Sequence, residues 1–250
     1  MNSEKSVPGD GRRQRTLSIQ VTSDTIDAID LAINKNRILR RLGYTVDAKP
    51  RPAIESLLID TLEEALTMLQ PVFSCTTMDV QRIHRPNISL SGGSDASVTL
   101  TSDVLCRALA PCHQAIIFIC SIGQGLEDSV TQMMRRGQTL KASILDAIGS
   151  EAAERTADYV EKTAGRSAEA AGAGITLRFS PGYCDWDISQ QRLIFGLFDS
   201  GTIGVKLTEE CLMIPRKSVS GIIGVGWADA KHLRVSPCRS CDRRDCDHRR

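Results

Sequence analysis

Apolar residues recur along the chain with two different periods, and these periods predict helices and strands in an irregular order. A helical period over residues 24–42 ends at Gly43, and a second one over residues 52–69 starts at Pro52 and is followed by Pro71. Further helices are predicted for a short segment capped by Ser102, around residues 126–134, over residues 139–162 and over residues 189–198.

Alternating or continuous apolar runs predict strands between these helices. Residues 76–100 form a predicted hairpin, in which Ile88 and Leu90 face Val98 and Leu100 across a turn-rich linker. Other strands are predicted at residues 115–120, 175–179, 211–214 and 219–227. Because the two kinds of element do not alternate regularly, we expect an α+β fold with a twisted, mainly antiparallel sheet flanked by helices.

Composition and charge narrow the class of protein. The 250 residues are 41% hydrophobic, which supports a sizeable core, and 31 basic against 30 acidic residues give a net charge of +1. This balance favours neither nucleic acid nor a membrane as partner. The longest apolar run, residues 115–120, is too short to span a bilayer, and the polar N-terminus lacks the apolar core of a signal peptide. We therefore expect a cytoplasmic protein.

The two ends of the chain differ in composition from its middle. Residues 1–18 are polar and predict a flexible tail, and residues 237–250 form a second tail rich in Cys and Arg. Cys238, Cys241 and Cys246 have the spacing CxxC-x4-C, which predicts a metal site with zinc or an iron–sulfur cluster, to which His248 could add a fourth ligand. Three reduced surface thiols are the alternative. Interleaved aspartates and the lack of aromatic residues argue against nucleic-acid binding by the five arginines of this tail.

Three stretches near the C-terminus are unusual in their order and spacing. They read RFSPGY at residues 178–183, KLTE at residues 206–209 and PRKSVSG at residues 215–221, and the segment at residues 144–159 precedes them. Together they resemble the reactivation domain of cobalamin-dependent methionine synthase. The resemblance covers roughly residues 37–250 and is closer to short, free-standing members of the family. It implies a curved domain, to which we assign residues 19–236.

The resemblance also implies a site for S-adenosylmethionine on the segment from Arg178 to Tyr183, including Ser180. In the family the matching arginine binds the carboxylate of the methyl donor, and the residue matching Glu154 meets its amino group. The tyrosine lies where the donor meets the corrin, so Tyr183 is the candidate catalytic residue. Two departures stand out: Gly172 replaces a second acidic residue of the full-length synthase, and the run CDWD at residues 184–187 replaces a proline- and histidine-containing one.

The resemblance implies a methyltransferase component that is active only with a partner. A corrinoid-binding protein or a methionine synthase subunit would carry the cobalamin, and a flavodoxin- or ferredoxin-type reductant would supply electrons. Reduced cobalt is itself the nucleophile, so the protein needs no acid, base or covalent nucleophile of its own. The alternative is a non-catalytic, metal-binding adaptor or electron-transfer partner of corrinoid proteins, which would bind metal through the tail but would not bind the methyl donor.

Overall fold

The computed structural model describes residues 24–46, 48–93, 96–199, 201, 203–227, 233, 234 and 236. The proposed tails at residues 1–18 and 237–250, with Cys238, Cys241 and Cys246, lie outside these residues. The helices are α1 (Lys35–Arg41), α2 (Pro52–Met68), α3 (Asp103–Leu109), α4 (Gly125–Arg135), α5 (Thr139–Ala170) and α6 (Gln191–Phe195). The strands are β1 (Asp24–Thr25), β2 (Val72–His84), β3 (Asn87–Ser91), β4 (Ser97–Thr101), β5 (Gln114–Ser121), β6 (Gly174–Ile175), β7 (Lys206–Leu207), β8 (Met213–Ile214) and β9 (Ser218–Gly226).

One antiparallel sheet organises the fold. Its strands follow the order β4-β3-β2-β5-β9-β6, and β1 pairs with the start of β2. Ile88 is paired with Leu100 and Leu90 with Val98, so the predicted hairpin and its register are confirmed. Strands β7 and β8 form a separate two-stranded ribbon. The expected α+β class with a mainly antiparallel sheet and flanking helices is therefore confirmed.

The sheet has a hydrophobic core on each face, and β5 at its centre is buried along its whole length. Ile116, Phe118 and Cys120 point into the core beneath α2, α4 and α5. Ala115 and Ile117 point into the second core, which α3 and α6 cover. A strand buried on both faces has no reason to alternate between apolar and polar residues, which explains the continuous apolar run of its sequence.

The prediction of a single helix over residues 24–42 is wrong. The chain there forms β1, a 3-10 turn at Ala28–Leu31 and the short helix α1. Two side chains interrupt the helical period, because Asp27 accepts a hydrogen bond from the backbone N–H of Ile29 and Asn34 accepts from Asn36 and Arg37. Each such bond starts a new turn and competes with a continuous helix.

Other boundaries also differ from the sequence prediction, and the strand predicted at residues 211–214 is reduced to β8 at Met213–Ile214. Helix α5 continues eight residues past the predicted end at residue 162, since Ala164 and Ala168 remain buried against the core and Gly172, with φ of +77°, follows its end. The predicted strand at residues 175–179 pairs only at β6 and at a single bridge between Phe179 and Ile222. The helix predicted at residues 189–198 is reduced to a 3-10 turn and α6.

No helix in the described part of the chain is long and apolar enough to cross a membrane. The longest helix, α5, carries charged residues throughout. Among its small residues, Gly149 faces α4: a Cβ built there would lie 2.6 Å from Cδ2 of Leu126 in α4. Helices α4 and α5 therefore pack closely only because this position has no side chain.

Strand β9 also needs a residue without a side chain, at Gly221. A Cβ built at Gly221 would lie 2.5 Å from the carbonyl oxygen of Phe179 and 2.9 Å from the ring of Phe118. We predict that Gly221→Ala lowers the free energy of unfolding by about 1–3 kcal/mol, because backbone or a buried ring would have to move. Urea denaturation followed by circular dichroism measures this change.

Gly93→Ala is the matched control, since a Cβ at Gly93 meets no atom within 4 Å. It should change the free energy of unfolding by less than about 0.5 kcal/mol. Equal stabilities of the two variants would contradict the close packing of β9.

Candidate functional site

The segment RFSPGY runs past the end of β6 along β9. The backbone N–H of Phe179 donates to the carbonyl of Ile222 at 2.9 Å, and the N–H of Ile222 donates back at 2.8 Å. Side chains alternate along extended chain. The ring of Phe179 therefore enters the core beneath α3 and α6, while the side chain of Arg178 reaches α5 on the other face.

Three carboxylates of α5 surround the guanidinium of Arg178. Nη2 donates to Oε2 of Glu154 at 2.7 Å, whereas Nη1 donates to Oδ1 of Asp158 and, at 3.2 Å, to Oε2 of Glu161. Burial disfavours the charged form of Arg178. The hydrogen bond and charge of Asp158, with the charges of the two glutamates, outweigh burial and raise the pKa of the guanidinium. Arg178 is therefore a fixed cation within an acidic surrounding.

Glu154, Asp158 and Glu161 share one face of α5 because they are spaced by four and three residues, and Asp146 lies eight residues before Glu154. We call this set the acidic row: Asp146, Glu154, Asp158 and Glu161. The row meets basic residues from three later segments. Lys217 contacts its first member and Arg178 its other three members, while Arg234 donates from Nη2 to Oε1 of Glu161 at 2.7 Å.

Lys217 anchors the start of β9 to α4 and α5. Its Nζ lies 2.7 Å from Oδ1 of Asp146 and donates to Oγ of Ser150, also at 2.7 Å. Its backbone N–H donates to Oε1 of Glu127 in α4 at 2.6 Å. The side chain is only 14% exposed, so this lysine is a structural contact between the strand and both helices.

A tight turn presents Tyr183. Gly182 has a φ of +90°, and its N–H donates to the carbonyl of Trp186 at 2.7 Å. The N–H of Trp186 in turn donates to the carbonyl of Tyr183 at 3.1 Å. The tyrosine side chain is 54% exposed, whereas Trp186 is buried beneath the turn. The backbone is thus fixed and the phenol ring faces outward.

Asp185 fastens the same turn to α3. Its carboxylate accepts hydrogen bonds of 2.6 Å from Oγ of Ser102 and from the backbone N–H of Asp103. Burial acts to raise the pKa of Asp185, but these hydrogen bonds and one from the N–H of Val104 outweigh it, so the pKa is lowered. Sequence analysis had assigned no role to Asp185.

An open cleft of about 490 Å³ lies beside Arg178. The C-terminal half of α5 forms one wall, with Glu161, Arg166 and Glu169, and residues 172–175 continue it. Trp227 and Arg234 also line the cleft. The indole of Trp227 is stacked on the ring of His113, with centroids 4.5 Å apart and planes 2° apart. Glu161 both lines the cleft and contacts Arg178, so the cleft is continuous with the arginine site.

The structure brings some of the predicted site residues together. Arg178 and Glu154 are in direct contact, and Ser180 and Tyr183 belong to one turn, where the N–H of Tyr183 lies 3.4 Å from the carbonyl of Ser180. Among the residues that the structure describes, no group of three or more His, Cys, Asp or Glu side chains is arranged to hold a metal ion.

Sequence analysis missed Asp158 and Glu161, the two other carboxylates that contact Arg178. Their spacing from Glu154, at four and seven residues, was the available signal. Surface carboxylates are common on helices, however, and only the position of Arg178 distinguishes these from the rest.

Comparisons with known proteins give the family. The family model of the vitamin B12 dependent methionine synthase activation domain matches residues 102–250, so the chain belongs to this family. The crystal structure of the MetH reactivation domain bound to AdoHcy is similar, with a TM-score of 0.60, 15% identity, and coverage of 81% of this chain and 77% of that chain. At this identity the likeness shows the fold alone. No curated protein matches the chain.

The tether of Asp185 predicts a specific pH dependence. Because its folded-state pKa lies below the ordinary value of 3.8, the carboxylate contributes stability above pH 3.8, and this contribution is lost as the pH falls through the lowered pKa. We predict that Asp185→Asn lowers the free energy of unfolding at neutral pH and that its difference from wild type shrinks in acid. Urea denaturation at several pH values measures both effects.

Asp60→Asn, on the exposed side of α2, is the control and should have little effect. A difference between wild type and Asp185→Asn that stays constant down to about pH 2 would contradict a role for the carboxylate charge.

Proposed function

We propose that this protein binds S-adenosylmethionine beside Arg178 and supplies its methyl group to the reduced cobalt of a corrinoid held by a separate protein. The observation that carries the proposal is the position of Arg178: it lies on the family segment RFSPGY and contacts Glu161, which lines an open cleft, in a chain that belongs to the activation-domain family. The volume of the cleft, about 490 Å³, is typical of small-molecule sites.

The donor carboxylate would bind the fork of Arg178, that is, the two terminal nitrogens of its guanidinium. The fork is already in contact with three carboxylates, so a ligand must replace one of them. Glu161 is the one that exchanges at least cost, because its contact is longer than that of Glu154 and because Arg234 still pairs with it after release. The exchange would place the ligand carboxylate on the cleft side of Arg178.

The donor ammonium would meet the negative charge that remains. Glu154 lies 2.7 Å from Arg178, so it is within reach of an amino group whose carboxylate occupies the same arginine. Glu161 and Glu169 line the cleft and add acidic groups near Gly172, where the full-length synthase carries its second acidic residue. The charges of α5 can thus replace the missing side chain.

The transfer itself needs positioning and not proton transfer. The electron pair of reduced cobalt would form the bond to the methyl carbon while the bond from sulfur to that carbon breaks, leaving S-adenosylhomocysteine. The protein contributes a held donor and an aromatic contact at Tyr183, whose exposed ring would meet the partner's corrin. The partner is then a corrinoid protein or methionine synthase subunit, with a flavodoxin- or ferredoxin-type reductant.

Binding of the donor is the first test. Isothermal titration should detect S-adenosylmethionine binding to the wild type, and Arg178→Lys should weaken it at least about tenfold, because lysine keeps the charge but loses the two-pronged hydrogen bonding. Lysine also limits the instability that an uncharged residue would cause among three carboxylates.

Arg85→Lys is the matched control, since Arg85 pairs with Asp103 at 2.8 Å, away from the cleft. Its affinity for S-adenosylmethionine should equal that of the wild type. An undiminished affinity of Arg178→Lys would remove Arg178 from the donor site.

Methyl transfer is the second test, and it separates binding from reaction. With labelled S-adenosylmethionine and a corrinoid protein reduced to cobalt(I), label should appear on the corrin. Tyr183→Ala should keep the donor affinity but slow the transfer at least about tenfold, because the ring acts at the interface. Label that stays on the donor with several corrinoid proteins would contradict the proposal, and full transfer by Tyr183→Ala would reject the role of the ring.

A further inference from the structure

Glu151 is a buried carboxylate that the proposed reaction does not use. It lies on α5 one turn before Glu154, its side chain is fully buried, and neither of its oxygens accepts a hydrogen bond. A buried charge with no hydrogen bond is costly unless other charges compensate for it. Its surroundings therefore have to explain why the carboxylate is there.

Three arginines surround this carboxylate. Nε of Arg155, on the same helix, lies 3.1 Å from Oε1 of Glu151, although the two are not aligned as a hydrogen bond. Two arginines of α1 lie farther away: Nη1 of Arg37 at 3.6 Å and Nε of Arg41 at 3.9 Å. Burial raises the pKa of Glu151, while the charges of Arg37 and Arg41 oppose the rise.

A continuous series of contacts connects Glu151 with Arg178. Nη2 of Arg155 lies 2.6 Å from Oδ2 of Asp158, and the other oxygen of Asp158 accepts from Arg178. Asp158 is thus held between two guanidiniums, one on each oxygen. Arg37 adds a link from outside the helix, since its Nη1 lies within 4 Å of both Glu151 and Asp158.

This arrangement fixes the direction of the Arg178 fork. An arginine side chain has several rotamers of similar energy. Without a contact to hold it, the side chain of Arg155 could adopt a rotamer that points into solvent. Glu151 attracts its Nε end, which leaves Nη2 pointing at Asp158. Asp158 in turn keeps Nη1 of Arg178 in place, so that only the contact with Glu161 remains to be exchanged for a ligand.

We propose that Glu151 is a positioning residue of the donor site, which orients Arg178 through Arg155 and Asp158 and couples α1 to the site through Arg37. The inference rests on the proposed function, because it assigns Arg178 to the carboxylate of S-adenosylmethionine. Helix α1 lies outside the part of the chain that the family model matches. The coupling of α1 to the site through Arg37 therefore comes from the N-terminal part of this chain, before the matched residues.

The test compares two ligands that differ at the carboxylate end. Glu151→Gln keeps the shape of the side chain and removes its charge. It should weaken the binding of S-adenosylmethionine about three- to tenfold, because a guanidinium of Arg178 that is no longer correctly oriented loses part of its charged contact with the ligand. Binding of 5′-methylthioadenosine, which has neither carboxylate nor ammonium, should stay unchanged. Lys141→Gln is the control: it lies elsewhere on α5, breaks a pair with Glu64 of α2, and should change neither affinity.

A second readout needs no ligand. In protein labelled with ¹⁵N-arginine, the guanidinium signal of Arg178, assigned by its absence in Arg178→Lys, should shift and exchange faster with solvent in Glu151→Gln. Arg155→Gln breaks the same series at a side chain that is 20% exposed, so it serves if Glu151→Gln does not fold. It should give the same loss of S-adenosylmethionine affinity and the same signal change.

The outcomes separate the two proposals. If the wild type binds neither ligand, the proposed function fails, while the guanidinium signal still decides whether Glu151 positions Arg178. If the wild type binds and both variants keep the affinity and the signal, the inference is overturned and the function stands. An equal loss of affinity for both ligands would also overturn it, because a general structural defect does not depend on the carboxylate.

Discussion

The attraction between the acidic row of α5 and three later basic residues is the interaction on which the site depends. Lys217, Arg178 and Arg234 come from separate segments of the chain and all three contact this one helix. Exposed pairs of this kind contribute little, but Lys217, Arg178 and Glu161 are largely buried, and Arg178 and Arg234 share Glu161, so these pairs restrict geometry more than they add stability. The helix thereby acts as the common reference to which the end of β6, the start of β9 and the cleft are aligned.

Individual strands of the sheet could be predicted from sequence because their patterns are local. The alternation of Ile88 and Leu90 with Val98 and Leu100 indicated the hairpin and its register, and the apolar run of β5 indicated a buried strand. The family segment likewise located Arg178 and Tyr183 in the chain. In each case, neighbouring residues carried the whole signal.

The parts that sequence could not predict depend on distant contacts or on competing local bonds. Asp27 and Asn34 look like ordinary polar positions in a helical period, yet their side-chain caps divide the predicted helix. Glu151 looks like a surface residue of α5 until α1 covers it with Arg37 and Arg41. Whether a charged residue is buried depends on the segment that packs over it in the folded chain. The hydrophobic period of its own helix does not reveal this.

The turn that carries Tyr183 has a consequence for the cost of association. Gly182 and Trp186 close it by backbone hydrogen bonds, and Asp185 fastens it to α3. A surface that meets this ring therefore has no loop to order. On this protein's side of the contact, the conformational entropy lost is then confined to side chains, about 0.5–1.5 kcal/mol for each side chain immobilised, in addition to the translational and rotational entropy that every association loses.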